Sequence, residues 1–345
     1  MIQDWFNAGV RTFVRTALWV YYKDIQVHGK ENLKKDKPLM VLANHQNGLI
    51  DPLVIGTYSG LYPYYLARAD VFNHAIIHRI LRYLRMMPIY RLRDGRDFAQ
   101  KNEAIYQRCA EIIQKKNSLL LFPEGGHGRQ RKVRPLKNGF IHILSKTLTQ
   151  DPEIDVWIQP MGVNYTHLTE FPDRVRLYIA PAIRVKDYWQ EGEDQTLLKQ
   201  AVFDSICQCT VHIEELSQHD RWVSQVMASG LDITRAPEVN NYLQNHPLDT
   251  SVSDVAAPAI QKTPWILRFM WWPIWWLWPK IFPPKRIEPE MRSTFRLTWT
   301  VLGALFSYLL LGVLGTMAGS SYEAITLTLG IHALITLWWI KKKTD

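Results

Sequence analysis

From Leu297 to Ile340 the chain carries no lysine or arginine, and two apolar runs, 297–315 and 324–340, flank a small-residue turn at Ala318-Gly319-Ser320-Ser321. As helices these runs would be ~28 and ~26 Å long at about 1.5 Å per residue, close to the thickness of a hydrocarbon core. They predict a transmembrane helical hairpin rather than two buried helices of a water-soluble domain. Basic residues crowd both flanks: Lys280, Lys285, Arg286, Arg292 and Arg296 before the hairpin, and Lys341, Lys342 and Lys343 after it. Because positive charge is retained on the cytoplasmic side, both ends of the hairpin, and with them the rest of the chain, are expected there.

Just before the hairpin, residues 265–278 hold six of the fourteen tryptophans: Trp265, Trp271, Trp272, Trp275, Trp276 and Trp278. An indole buries its ring and keeps its N–H wet at the level of lipid headgroups. Residues 265–296 are therefore expected to be interfacial, and Pro273 and Pro279 argue against a full span. At the other end of the chain, Ile2, Trp5, Phe6, Val10, Phe13, Val14 and Leu18 recur at spacings of three and four, so 1–24 predicts an amphipathic helix. That helix either lies in the membrane interface or covers the next domain. Asp4, Arg11 and Arg15 interrupt it too often for a signal peptide.

Between these ends the composition is globular. The whole chain of 345 residues is 47% hydrophobic and 21% charged, which excludes wholesale disorder. Lys+Arg 41 against Asp+Glu 32 gives +9, a balance that suits nucleic acid, anionic lipid or a phosphorylated substrate equally. The chain lacks the aromatic and basic surface or recognition helix of a nucleic-acid binder, and no nucleic-acid partner is expected. Three cysteines, Cys109, Cys207 and Cys209, make no disulfide framework and suit a reducing compartment. Cys207, Cys209 and His212 lack the second cysteine pair that a zinc site needs, so no metal is expected.

From Asp24 to about Arg235 short strand-like runs (25–29, 38–43, 63–67, 87–90, 118–122, 156–163 and 175–180) alternate with helical stretches such as 97–116 and 193–218. Such alternation predicts an α/β domain over 25–235 with functional loops at strand ends. A linker over 236–264, the Trp-rich segment, the hairpin at 297–340 and a basic tail at 341–345 complete the expected organisation. On this reading catalysis and anchoring should be separable by truncation near Lys262.

The chemistry concentrates in two loops. After strand 38–43 comes Asn44-His45-Gln46-Asn47-Gly48-Leu49-Ile50-Asp51-Pro52. A histidine at a strand end with a carboxylate nearby is what a general base needs, since the carboxylate fixes the tautomer and stabilises the imidazolium. Asp51 before Pro52 also suits a helix N-cap, and the two roles can coexist. After strand 118–122 comes Phe122-Pro123-Glu124-Gly125-Gly126-His127-Gly128, followed by Arg129, Arg131, Lys132, Arg134 and Lys137. Glycines with nearby guanidinium groups make an anion site, or a mobile basic loop touching lipid. Arg91, Arg93 and Arg96 form a second cationic group.

Together these motifs resemble the glycerolipid and lysophospholipid acyltransferase superfamily: His45 with Asp51, then Arg91 in MPIYR, then Phe122 to Gly125, then Pro160 in IQPMG, in the family's order. The resemblance covers roughly 25–215. It implies an acyltransferase-type mixed sheet surrounded by helices and an enzyme that places a fatty acyl group on a glycerol-phosphate acceptor, lysophosphatidic acid. His45 would deprotonate the acceptor hydroxyl, and Asp51 would orient it. Asn44, Arg91, Arg93, Glu124, Gly125, Gly126, His127, Arg129, Arg131 and Lys137 would shape or contact the acceptor site. An acyl-CoA or acyl carrier protein thioester would be the co-substrate, membrane lipids the partners, and no cofactor or metal is implied. Two departures stand out. Five residues rather than four separate His45 from Asp51, as in glycerol-3-phosphate and dihydroxyacetone-phosphate acyltransferases, and His127 stands where the family has an arginine. Glycerol 3-phosphate is the alternative acceptor, and a noncatalytic lipid-binding protein of the same fold the alternative class.

Overall fold

The computed structural model describes residues 2–91, 94–190, 192, 195–249, 264–283 and 287–342. In chain order the elements are α1 (Ile2–Tyr21), β1 (Asp24–His28), β2 (Leu39–Ala43), α2 (Ile50–Tyr58), β3 (Tyr64–Arg68), α3 (Ala75–Tyr83) and β4 (Met86–Ile89). Then come α4 (Phe98–Gln114), β5 (Ser118–Leu121), α5 (Gly139–Gln150), β6 (Trp157–Tyr165), β7 (Arg174–Ile179) and β8 (Ile183–Arg184). Helices α6 (Thr196–Cys209), α7 (His219–Ala228), α8 (Ala236–Asn245), α9 (Trp265–Met270), α10 (Trp272–Ile281), α11 (Pro289–Met317) and α12 (Tyr322–Lys341) follow.

One mixed sheet runs β1-β7-β6-β2-β5-β3-β4, with β8 on β6. Strands β6, β2, β5, β3 and β4 are mutually parallel, while β7 lies antiparallel to β6 and carries β1 parallel beside it. All five residues of β2 are buried, as expected of an apolar run covered on both faces. Leu39, Val41 and Ala43 enter one core with Leu18, Ile50, Val54 and Tyr165. Met40 and Leu42 enter the other, with Ile113, Phe140 and Val202. The two-residue period of a strand divides them. Every strand expected from the sequence is present; β8, two residues long, was below the reach of any pattern.

Pro160 sits inside β6, paired with Leu42 of β2. A central proline would break a ladder, because it has no N–H to give. Here it falls where the antiparallel neighbour of β6 changes from β8, opposite 157–158, to β7, opposite 161–165. Two residues on, Gly162 receives the end of α6. A Cβ there would lie 2.1 Å from the Cys209 carbonyl oxygen, so only glycine lets that helix seat.

Several boundaries differ from expectation. The helix expected over 193–218 stops at Cys209, where Thr210 turns extended, and the chain continues to α7. Burial raises the Cys207 thiol to about 12, and His212 Nδ1, 3.6 Å from that sulfur, accepts the Val133 N–H at 3.0 Å. The thiols are structural. Helix α8 occupies part of the expected linker and packs Ala236 and Val239 against Val211, Ile213, Val226 and Ile233, so the α/β unit extends past 235. Residues 250–263 of that linker lie outside the described residues, as do Arg93, Lys285, Arg286 and Lys343.

Helix α1 covers the α/β unit with one side, the second of the two alternatives expected for it. Leu18 and Tyr21 are buried and Val14 packs beside them, whereas Trp5, Phe6, Phe13 and Trp19 are exposed on the other side. At its end the Lys341 ammonium of α12 donates to the carbonyls of Trp19 (2.6 Å) and Tyr22 (2.7 Å), where a helix C-terminus favours a cation. Within the Trp-rich segment, α9 and α10 are two short helices whose Trp265, Trp272 and Trp276 are exposed. The Trp271 indole donates to Thr336 and the Trp299 indole to the Ile274 carbonyl, 3.0 and 3.1 Å.

Residues 291–317 and 322–341 are long and apolar enough to cross a membrane. Helix α11 nevertheless begins well before the apolar run. Its first turns are packed into the α/β unit, where Ser293, Thr294 and Leu297 are buried, Leu297 in the same core as Val41 and Ile50. The hairpin therefore meets the α/β unit through α11 and through Lys341. A shared core thus crosses the boundary at which the sequence suggested that anchor and catalytic domain are separable.

Candidate active site

Strand β2 delivers its chain end to the site, and Asn44 fixes where it leaves the sheet. The Asn44 side-chain oxygen accepts the Val163 N–H (2.8 Å) and its amide donates to the Val163 carbonyl (3.0 Å). Both groups are thus spent on β6 and the residue is buried. Asn44 positions the strand end; the expectation that it touches substrate gives way.

His45 is next, and its backbone is held on both sides by the loop after β5. Its N–H donates to Glu124 Oε1 (3.1 Å), and its carbonyl accepts the Gly128 N–H (3.1 Å). The ring stacks on Phe122 with centroids 4.0 Å apart and an interplanar angle of 12°. Nδ1 lies 2.8 Å from Asp51 Oδ2. A carboxylate only accepts, so Nδ1 carries the proton and Nε2 presents a lone pair. Nε2 has no hydrogen-bond partner among the described residues, and the side chain is 14% exposed. A base with an oriented ring and one free, reachable nitrogen is the result.

Asp51 is fully buried. Its Oδ2 also accepts the N–H groups of Gln46 (2.8 Å) and Asn47 (2.7 Å), and its Oδ1 accepts the Tyr165 hydroxyl (2.5 Å). Such donors compensate a carboxylate removed from water. The N-cap expectation needs correcting: α2 starts at Ile50, so Asp51 stands inside the first turn and reaches back to N–H groups upstream of the helix. Burial, and then the Asp51 charge, push the Tyr165 phenol well above its ordinary pKa. It remains a donor. Tyr165 was missed from the sequence, since nothing in a strand end ending in tyrosine reveals which polar group it will meet.

The loop after β5 is closed by a turn, the Gly125 N–H donating to the Phe122 carbonyl at 3.1 Å with Pro123 in the second position. Gly125 has φ +75°, a left-handed backbone that glycine adopts freely. Glu124 is buried, and burial raises its pKa against the opposing charge of Arg134. Arg134 Nε donates to Glu124 Oε2 at 2.7 Å, and the same guanidinium bonds the carbonyls of Gly126 and His127. Glu124 and Arg134 together are a brace between this loop and His45. Sequence placed Arg134 in a basic run without distinguishing it.

His127 meets the His45 ring edge-on, centroids 5.7 Å apart, and its Nε2 is 3.9 Å from Glu288 at the start of α11. The remaining expected cations separate into groups. Arg131 donates to the carbonyls of Tyr165 (2.8 Å) and Thr166 (3.0 Å), and burial lowers its pKa to about 10. It is a structural tie, and the acceptor-binding role expected of it gives way. Arg91, at the end of β4, is held by Asp94 (3.0 Å) and Asp70 (3.4 Å). That strand is three positions from β2 in the sheet, roughly 14 Å at about 4.8 Å per strand. Arg129 and Lys137 are exposed beside the His45 loop, with the Lys137 N–H on the Pro123 carbonyl (2.8 Å). Glu124, Gly125, Gly126 and His127 surround the His45–Asp51 pair; Arg91 does not join them directly.

Residues 24–164 match the Acyltransferase family. A 1-acyl-sn-glycerol-3-phosphate acyltransferase of Brassica napus is 28% identical over 133 residues, 38% of this chain and 36% of that protein. Another, of Limnanthes douglasii, is 25% identical over 153 residues, 44% of this chain and 49% of that one. Glycerol-3-phosphate O-acyltransferase 1 of Saccharomyces cerevisiae is 30% identical over 81 residues, 24% of this chain and 11% of that protein. The chain thus spans half or less of the length of these curated relatives. The crystal structure of the 1-acyl-sn-glycerophosphate (LPA) acyltransferase PlsC of Thermotoga maritima superposes with TM-score 0.45 at 22% identity, over 59% of this chain and 79% of that one. With its paired histidine and aspartate at the end of β2 and the Phe-Pro-Glu-Gly turn beside them, the stretch 24–164 matches an acyltransferase domain and is similar to those of the glycerolipid acyltransferases.

Proposed function

We propose that this chain is a membrane-bound O-acyltransferase that moves a fatty acyl group from a thioester to the free hydroxyl of 1-acyl-glycerol 3-phosphate, giving phosphatidic acid. The observation that carries the reading is the unengaged Nε2 of His45, on a ring whose Nδ1 is fixed 2.8 Å from Asp51. In the reaction Nε2 takes the hydroxyl proton as the acceptor oxygen attacks the thioester carbonyl. The tetrahedral adduct then breaks its C–S bond, and the departing thiolate receives the proton from the imidazolium, leaving ester, free thiol and neutral histidine. Asp51 stabilises the transient imidazolium. Arg129 and Lys137 are the exposed cations assigned to the acceptor phosphate. The donor is acyl-CoA or acyl carrier protein, and no metal enters the step.

The names of the Brassica napus and Limnanthes douglasii relatives support lysophosphatidic acid as acceptor. Glycerol 3-phosphate is the second reading, favoured by the five residues between His45 and Asp51 and by the similarity to the yeast glycerol-3-phosphate enzyme. In the membrane, α11 and α12 would span and the eight basic flanking residues would hold the α/β domain on the cytoplasmic face. Membranes containing the full chain, supplied with a panel of lysolipid and glycerol-phosphate acceptors and both donor types, should yield phosphatidic acid by mass spectrometry. Product from glycerol 3-phosphate alone would shift the acceptor, and no acyl product from any pairing would overturn the reading.

A further inference from the structure

The loop carrying His45 and Asp51 is held not only by the α/β domain but also by α11, which lies outside the family-matching residues 24–164. The Leu49 N–H, in the turn that opens α2, donates to Thr294 Oγ1 at 3.3 Å. Amides at a helix start lack an intrahelical acceptor, so Thr294 satisfies α2 from another helix. The Leu168 carbonyl is shared: it accepts the Asn47 side-chain amide (3.3 Å) and the Ser293 hydroxyl (2.8 Å). Ser293 and Thr294 are both buried, and one turn further on Leu297 enters the core that contains Ile50 and Ala43. At the mouth, Glu288 approaches His127, which in turn contacts the His45 ring.

We infer that the first turns of α11 are a positioning element of the acyl-transfer site, in which Thr294 and Ser293 hold the His45–Asp51 loop in its working geometry. This rests on the acyltransferase reading above. A second consequence concerns depth. Thr294 precedes Leu297 by three residues, about 4.5 Å of helix, so the base is tied to within about one helical turn of the start of the apolar run. An acceptor would meet His45 with its phosphate at the surface and its acyl chain still among the lipids. The hairpin thereby sets the height and geometry of the site as well as attaching it.

The test uses the full chain in vesicles of phosphatidylcholine and phosphatidylglycerol, with Thr294→Val, the double variant Ser293→Ala/Thr294→Val, and Thr294→Ser. Loss of the hydroxyl is expected to lower kcat about tenfold while both KM values stay within about twofold, the pattern of a misplaced catalytic group. Thr294→Ser should recover at least about half of the rate. Thr300→Val is the control, because the Thr300 hydroxyl bonds only carbonyls of its own helix; it should leave kcat alone. Hydrogen exchange of the 45–51 peptide gives an independent readout, with the Leu49 amide exchanging faster in Thr294→Val than in wild type. Unchanged exchange and unchanged kcat in Thr294→Val overturn the inference. A wild-type chain inactive on every acceptor overturns the acyltransferase reading instead, and the exchange comparison then decides the positioning role by itself.

Discussion

The Tyr165 hydroxyl donates to Asp51 Oδ1 at 2.5 Å, and neither residue is exposed by more than 1%. Because the other carboxylate oxygen faces His45 and two backbone N–H groups, the phenol closes the last open side of Asp51. The carboxylate cannot rotate without leaving a donor unpaired. The orientation of the His45 ring is thus set by a residue 120 positions later on a neighbouring strand.

Removing members of this chain of contacts should give graded effects. His45→Ala is expected to abolish acyl transfer with the fold intact, and Asp51→Asn to lower kcat by at least about a hundredfold, the usual size of a general-base contribution. Tyr165→Phe leaves Oδ1 without its donor, so a stability loss of about 1–3 kcal/mol is expected with a smaller fall in kcat. Rates and chemical denaturation of the three variants check this. An Asp51→Asn protein that only melts earlier would reduce Asp51 to a brace of the 46–47 turn.

The basic run after the Phe-Pro-Glu-Gly turn divides into Arg129, exposed beside the site, and Arg131 and Arg134, which are tied into the fold. Arg129→Gln should raise the acceptor KM several-fold with little change in the donor KM, because a charge-assisted phosphate contact is lost. Arg131→Gln should instead lower the melting temperature, since two carbonyls at the end of β6 lose their donor. Equal effects of Arg129→Gln on both KM values would move that cation to the phosphates of the donor.

How much of this was legible depended on range. The β2 loop and the β5 loop could be read because each motif is contiguous and strand-terminal: His45, Asp51 and Glu124 needed only local spacing. Arg131 and Arg134 look identical in the sequence, and only the fold shows that one meets Tyr165 and Thr166 while the other meets Glu124. Thr294 was invisible for the same reason. A hydroxyl at the start of an apolar helix carries no mark of the amide 245 residues earlier that it accepts. The seven longer strands follow from alternation, whereas α8 reads as linker in the sequence because its buried face is only Ala236 and Val239.

Asp173 gives a pH dependence with a defined sign. Burial raises its carboxyl well above the ordinary range, outweighing the N–H bonds from His167 and Arg174 and the charge of Arg131. The folded state therefore holds this proton more tightly than the unfolded one. The associated stability is complete below about pH 3.9, the unfolded value, and is lost as pH rises through the folded value. Asp173→Asn lacks that loss, so its melting temperature in detergent, relative to wild type, should climb as pH is raised. Subtracting the two curves cancels Glu124, which is shifted in the same direction. A difference that stays flat with pH would show that Asp173 is not titrating in the folded protein.

The last prediction follows from the packing of Leu297, which belongs to a candidate membrane helix yet is only 7% exposed and touches the core shared by Leu18, Tyr21, Val41 and Ile50. Leu297→Ala should cost the α/β domain about 2–5 kcal/mol, the range for emptying a buried leucine site, because β2 and α1 cannot both collapse into the space. Leu309, three turns later on the same helix, is 68% exposed, and Leu309→Ala should change stability by no more than about 0.5 kcal/mol. Truncation before α11 should resemble the first variant: it would open the Leu297 site and leave the Leu49 amide without its acceptor. Unfolding of all three in the same detergent can be followed by proteolysis of the α/β domain. If Leu297→Ala proves as mild as Leu309→Ala, and the truncated chain resists protease as well as the intact one, the domain is independent of its hairpin and the shared core contributes nothing to holding the site.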